Sequence, residues 1–223
     1  MEKFENSYLF DLSQTIAAEL FMEYKYPWQL LPLIKEYIIR TGAALSSKRF
    51  EKAGENVWIA KTAEIAPTAS ICGPAIIDEN AEIRHCAFIR GSVIVGKNAV
   101  VGNSTELKNC ILFNAVEVPH YNYVGDSILG YHSHLGAGAV TSNVKGDKSP
   151  VKIKKGSLTV DTGFKKMGAI LGDYVEVGCG SVLNPGVIVG KNSQIYPLSM
   201  VRGCVDENSI YKKQGEIVTK VSD

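Results

Sequence analysis

Little in this chain pulls its charge one way: 24 Lys and Arg against 23 Asp and Glu leave a formal net charge of +1. That near-balance excludes the strongly basic surface of a nucleic-acid or membrane-surface binder. Long hydrophobic runs are also missing, and no apolar stretch approaches the ~20 residues a membrane span needs. Met1 to Ser7 carries acids and lacks the apolar core of a signal peptide. Cysteine is sparse and scattered: Cys72, Cys86, Cys110, Cys179 and Cys204 show no CxxC spacing. An odd, dispersed count argues for reduced thiols in a cytoplasm and against a disulfide framework. What remains is an ordinary globular composition, 45% hydrophobic and 21% charged, in 223 residues. That length suits one medium domain with an appendage.

What is present is a repeat. Every sixth residue from Ile59 is apolar: Ile59, Ile65, Ile71, Ile77, Ile83, Ile89, Val95, Val101, Leu107 and Phe113. Four residues after each comes a small or β-branched one, from Ala63 and Ala69 through Thr105 to Ile111. The series resumes as Leu129, Leu135 and Thr141, and again from Leu171 to Val201. A period of six fits neither a helix nor an open sheet. It fits a short strand and a tight corner, repeated, with three such faces per coil and coils stacked at strand spacing. The expected fold is therefore all-β, a left-handed parallel β-helix over residues 51–205. Sandwich strands, which recur every 8–12 residues without fixed register, fit less well.

Two interruptions stand out. The phase shifts between Pro119 and Leu129, and Tyr123 then falls on an inward-looking position. From about 144 to 167 the repeat fails in a segment rich in Lys and Gly, read as a loop thrown out from the coil. Repeat proteins carry function on such insertions. Residues 1–50 form a helical region, with Ser13 capping a helix through Ala17 to Tyr24 and Pro27 opening another from Trp28 to Arg40, ended by Gly42. It is expected to cap an end of the coil or to pack on an assembly. Residues 206–223 form a polar tail expected to leave the coil.

Three of the four histidines, His120, His132 and His134, lie in the block Val118 to Asn143 (VPHYNYVGDSILGYHSHLGAGAVTSN), which spans the phase shift and ends at the insertion. Its glycines allow a ligand close to backbone N–H groups. An N-acylation needs a base to free an amine from its proton. A histidine titrates in the right range for that task.

The block resembles the acetyltransferase domain of the bifunctional N-acetylglucosamine-1-phosphate uridyltransferase/glucosamine-1-phosphate acetyltransferases. The likeness rests on His120-Tyr-Asn-Tyr123-Val-Gly125-Asp126, Gly136-Ala137-Gly138 and Thr141-Ser-Asn143. Arg90 and Lys108 stand at the family's spacing before His120. The stretch from Val151 to Gly168 resembles the archaeal-type sugar-1-phosphate nucleotidyltransferase/acetyltransferases. Carried over position by position, the resemblance implies His120 as general base. It implies Arg90, Lys108, Tyr123 and Asn143 as acceptor-binding residues, with Ala137, Gly138 and Cys179 as contacts for acetyl-CoA; His134, at a family acceptor position, and Lys152, three residues past one, are read as acceptor-binding too. It also implies no metal, a homotrimer and a separate nucleotidyltransferase as a further partner. Two departures touch the choice of sugar: the family's Asn before Gly-Ala-Gly is His134 here, and a family Lys falls on Ser149. Residues 1–50 lack the glycine-rich start of a pyrophosphorylase, so no nucleotidyl transfer is expected. Two other readings compete. One is a non-catalytic scaffold or regulatory relative. The other is a three-histidine zinc enzyme of the γ-carbonic anhydrase type, built from His120, His132 and His134.

Overall fold

The computed structural model describes residues 2–213 and 216–219. Its body is a left-handed parallel β-solenoid of about nine turns. Three strands make one coil. The first face begins with Val57–Ala60, Ala75–Ile77 and Val93–Val95; the second with Glu64–Ile65, Glu82–Ile83 and Val100–Asn103; the third with Ser70–Ile71 and Phe88–Ile89. In the lower coils each residue pairs with the one eighteen positions on, as in Val57↔Ala75, Glu64↔Glu82 and Ser70↔Phe88. Stacking lets the inward aliphatic residues touch their like above and below, so Ile77, Ile83, Ile89 and Val95 are all but fully buried.

The register then tightens to seventeen. Leu112, not Phe113, pairs with Val95, and Leu129 pairs with Leu112. Two corners between the third and first faces are each one residue short, and there Asn109 and Asp126 take left-handed φ of 49°. Phe113 therefore leaves the inward series and packs outside the coil on Phe10 and Phe21, with centroids 4.9 and 5.1 Å away. The phase shift begins here, before Pro119. It also turns Tyr123 outward, while Val124 takes the buried inward position. The expected inward placement of Tyr123 is thus corrected.

The outward residues of the first face are unlike the rest. Trp58, Ile76, Ile94, Ile111, Ile128, Ile170 and Ile188 pair one above another in a single row. All are buried. A row of that kind, at about 1.5–3 kcal/mol for each fully buried isoleucine, needs a cover. The N-terminal region supplies most of it, as a strap along the flank rather than a cap on an end. It starts at the last coils, where Lys3 and Tyr8 meet Glu207 and the Asp11 N–H donates to Asp173. It passes Asn114, whose N–H donates to the Gln14 carbonyl. The helix Ile34–Ala44 then packs on the first-face strands of the lower coils. Gly42 lies inside that helix, against Trp58, with no room for a Cβ.

The local helix expectations also change. Ser13 lies within a 3-10 turn, Leu12–Gln14, held by Asp11. The long second helix is broken into the 3-10 turn Pro27–Leu30 and the helix Ile34–Ala44. Pro32 explains the break, since a proline disfavours helix at the residue before it.

Between Thr141 and Gly168 the chain leaves the coil, and the register jumps to forty-two, as in Ile128↔Ile170. The excursion carries an antiparallel hairpin, Lys152–Lys155 with Leu158–Asp161. Past 205 the chain stays on the coil instead of leaving it: Ser209–Lys213 pairs in parallel with Gln194–Ile195, and Glu216–Thr219 folds back on it. The rest of the expected tail, 214–215 and 220–223, lies outside the described residues. Among the described residues no helix is long and apolar enough to cross a membrane.

Candidate active site

Most of the residues singled out in the sequence collect on the two edges of the third face, while His134, Lys152 and His132 lie elsewhere. At the edge between the second and third faces, His120 ends the strand Glu117–His120 and is exposed. Its backbone carbonyl accepts from the Gly138 N–H at 3.0 Å, and the Ala137 carbonyl accepts from the Gly180 N–H at 2.8 Å. His120, Ala137 and Cys179 thus stand one above another on successive coils. Among the described residues the His120 ring has no hydrogen-bond partner, so it is free to serve a ligand. The Gly138 N–H is spent on His120 and is not an open donor. The exposed Ala137 has an N–H without an acceptor among the described residues, and so does Cys179. Gly138 keeps φ at +70°, a conformation that suits glycine.

The edge between the third and first faces is built differently. Asp126 is 4% exposed. Its carboxylate accepts from Lys108 Nζ at 3.0 and 3.2 Å, from Asn109 Nδ2 at 2.9 Å and from Asn143 Nδ2 at 2.5 Å. Asn143 Nδ2 also donates to the Tyr123 hydroxyl at 3.2 Å. Burial and the neighbouring Asp126 charge push the Tyr123 hydroxyl's pKa up, keeping it protonated. Arg90, one coil below Lys108, donates to Glu106 at 2.6 Å. Both cations expected to hold a phosphate are therefore already neutralised, Arg90 by Glu106 and Lys108 by Asp126. Asp126 was legible only as part of the Gly-Asp pair, and Glu106 and Asn109 carried no signal beyond their place in the repeat.

His134 lies on the second face, between Glu117 below and Glu176 above. Its Nδ1 is 2.9 Å from Glu176 Oε2. Lys152 is elsewhere, on the exposed side of the hairpin, 3.8 Å from Asp161. His132 sits at the corner between the first and second faces, its ring stacked on Tyr174 with centroids 5.7 Å apart. The three histidines thus occupy three different places. Among the described residues no group of three His, Cys, Asp or Glu is arranged to hold a metal ion. Within one chain, His120 and Asp126 stand at opposite edges of one face, on either side of its strand from Tyr123.

The fold and this two-edged face define a hexapeptide-repeat parallel β-helix. Comparison with known proteins narrows the likeness. Residues 71–178 match a family described as the GMPPB C-terminal domain. The chain is 38% identical over 121 residues to the bifunctional protein GlmU of Methanococcus maripaludis, covering 54% of this chain and 29% of that protein. It is 31% identical over 112 residues to the bifunctional sugar-1-phosphate nucleotidylyltransferase/acetyltransferase of Sulfurisphaera tokodaii, covering 50% and 28%. The chain thus spans under a third of the length of these relatives. Among solved structures, the polySia-specific acetyltransferase NeuO shares 15% identity at a TM-score of 0.48, covering 75% of this chain and 88% of that one.

Proposed function

We propose that the chain is an acetyl-CoA-dependent N-acetyltransferase acting on an amino-sugar phosphate. One observation carries the reading: an exposed, unpartnered His120 ring directly beneath the open N–H groups of Ala137 and Cys179. His120 takes a proton from the acceptor amine as its nitrogen attacks the thioester carbon. The C–N bond forms, the C–S bond breaks, and the proton passes on to the departing thiolate. The Ala137 N–H is the donor for the oxygen that gains charge. Ala137, Gly138 and Cys179 line the path of the acyl donor. Tyr123, Asn143 and His134 hold the sugar, and its phosphate draws Arg90 from Glu106 and Lys108 from Asp126, with Lys152 adding positive charge.

The separation of His120 from the Asp126 cluster favours a site completed between copies of the chain, and we assign a homotrimer. The third face and its edge carry exposed apolar side chains suited to such packing, among them Phe88, Tyr121, Leu198 and Met200.

The test is free-thiol release from acetyl-CoA with a panel of amino-sugar phosphates. Turnover with a phosphorylated amino sugar, and little with its unphosphorylated form, is the expected result. No release with any amino sugar would overturn the reading. The internal pairing of Arg90 and Lys108 would then favour a non-catalytic relative of these enzymes.

A further inference from the structure

The cations that remain open in this region lie on the inserted hairpin and the upper coils. Between hairpin and coil runs a groove of about 590 Å³, within the range of small-ligand sites. Lys145, Lys152, Lys154 and Arg202 line it, against one carboxylate, Asp147. Lys145 is paired with Asp147 at 3.3 Å, and Lys152 stands 3.8 Å from Asp161. Lys154 and Arg202 have no carboxylate within 4.0 Å among the described residues. The groove is thus basic while the whole chain carries only +1.

Its walls are fixed. Val151 and Ile153 are buried, so the alternation of a strand puts Lys152 and Lys154 on one side, about 7 Å apart. The hairpin lies close against two glycines of the coil. A Cβ on Gly186 would meet Val151 at 2.8 Å, and one on Gly203 would meet the Lys154 carbonyl at 2.9 Å. Arg202 reaches in from the coil beside Gly203. Val144 and Pro185 add an apolar surface to the same groove. The groove adjoins the proposed acceptor site, because Ser142 and Val144 in its wall flank Asn143.

We infer that this groove binds a nucleoside diphosphate, with Lys152, Lys154 and Arg202 gripping the phosphates and Val144 and Pro185 meeting the base or ribose. Adjacent phosphates present several oxygens to spaced cations, and an arginine can take two of them at once. Two ligands of the proposed reaction offer that chemistry: the diphosphate end of coenzyme A, and an acceptor sugar linked to a nucleotide. The choice between them rests on the acyl-transfer reading; the binding itself rests on the groove.

The experiment is calorimetric binding to the full chain of coenzyme A, adenosine 3′,5′-bisphosphate, UDP, GDP and inorganic phosphate. The double variant Lys154→Gln/Arg202→Gln is measured alongside. Both side chains are exposed, so an unchanged melting curve certifies its fold. At least one nucleotide is expected to bind the parent and to weaken roughly ten- to a hundredfold in the variant. Weakening confined to coenzyme A and the bisphosphate assigns the groove to the donor; weakening confined to UDP or GDP assigns it to the acceptor. The inference falls if no nucleotide binds the parent, if the variant binds as tightly, or if inorganic phosphate binds as well as the nucleotides do. Groove-dependent binding without any thiol release would retain the groove and overturn only the acyl-transfer reading.

Discussion

Along one edge of the third face, His120, Ala137 and Cys179 stand in the open with unspent hydrogen-bonding groups. Along the other, Lys108, Asn109 and Asn143 converge on the buried carboxylate of Asp126. Both edges are corners of the same repeat. They differ because the second is one residue short in two successive coils, at Asn109 and Asp126, which draws neighbouring side chains together. The open edge has groups free to act on a ligand. The knitted edge spends its charges on itself, and its first role is to hold Tyr123 and Asn143 in place. A residue's worth to function and its worth to stability should therefore separate along this face.

The sharpest way to break that contrast is His120→Ala. Transfer should fall roughly 10²–10⁴-fold with the general base gone. The free energy of urea unfolding should stay within about 0.5 kcal/mol of the parent, since an exposed ring without partners holds nothing together. A variant that turns over within a few-fold of the parent would end the general-base assignment, and one that unfolds would move His120 to the structural edge.

Asp126→Ala tests the other edge. It removes one acceptor from three donors, Lys108, Asn109 and Asn143. Lys108 keeps some water, with 28% of its side chain exposed, so the cost is set at about 1–3 kcal/mol. At ~2–4 °C per kcal/mol for a chain of this size, melting should fall by several degrees. Acceptor KM should rise as Tyr123 and Asn143 loosen, with acetyl-CoA KM little changed. Unaltered melting would show that the knitted edge is not a structural one.

How far all this could be read from sequence also divides along the coil. Ile59 to Leu107 announce their faces because six-residue spacing and inward burial coincide there. The series fails at Phe113 because a corner lost one residue, and an apolar neighbour stood ready to continue the count falsely. The same slip turned Tyr123 inward on paper. The strap was misplaced for another reason. Its cue is the outward row from Ile76 to Ile188, whereas the inward residues alone say nothing of which flank needs a cover. His120, Ala137 and Cys179 were legible as motif positions, and the repeat brings them to one edge. The pairing of Arg90 with Glu106 and of Lys108 with Asp126 was not legible, because side chains of opposite charge one coil apart look the same as free ones.

The corner between the first and second faces offers a middle case and the smallest expected effect. There Glu79 accepts from Arg49 Nε at 2.7 Å and from Lys97 Nζ at 2.8 Å. It ties the entry to the strand Phe50–Gly54 to a corner one coil higher. Those two bonds, Arg49 first, hold its carboxyl at a pKa of about 2. A carboxylate whose folded pKa lies below its unfolded one stabilises the fold fully above the unfolded value near 4.3. That contribution is lost as pH falls from there toward 2. The pair is water-accessible, with 51% of the Arg49 side chain exposed, so the contribution is held under about 1 kcal/mol. Urea unfolding of the parent and of Glu79→Gln, compared between pH 6 and pH 2.5, should show a gap at pH 6 that closes in acid. If the gap persists at pH 2.5, Glu79 acts by packing, and this corner belongs with the structural edge. If no gap exists at pH 6, the ion pairs are ornamental, and the shortened corners alone distinguish the knitted edge from the rest of the coil.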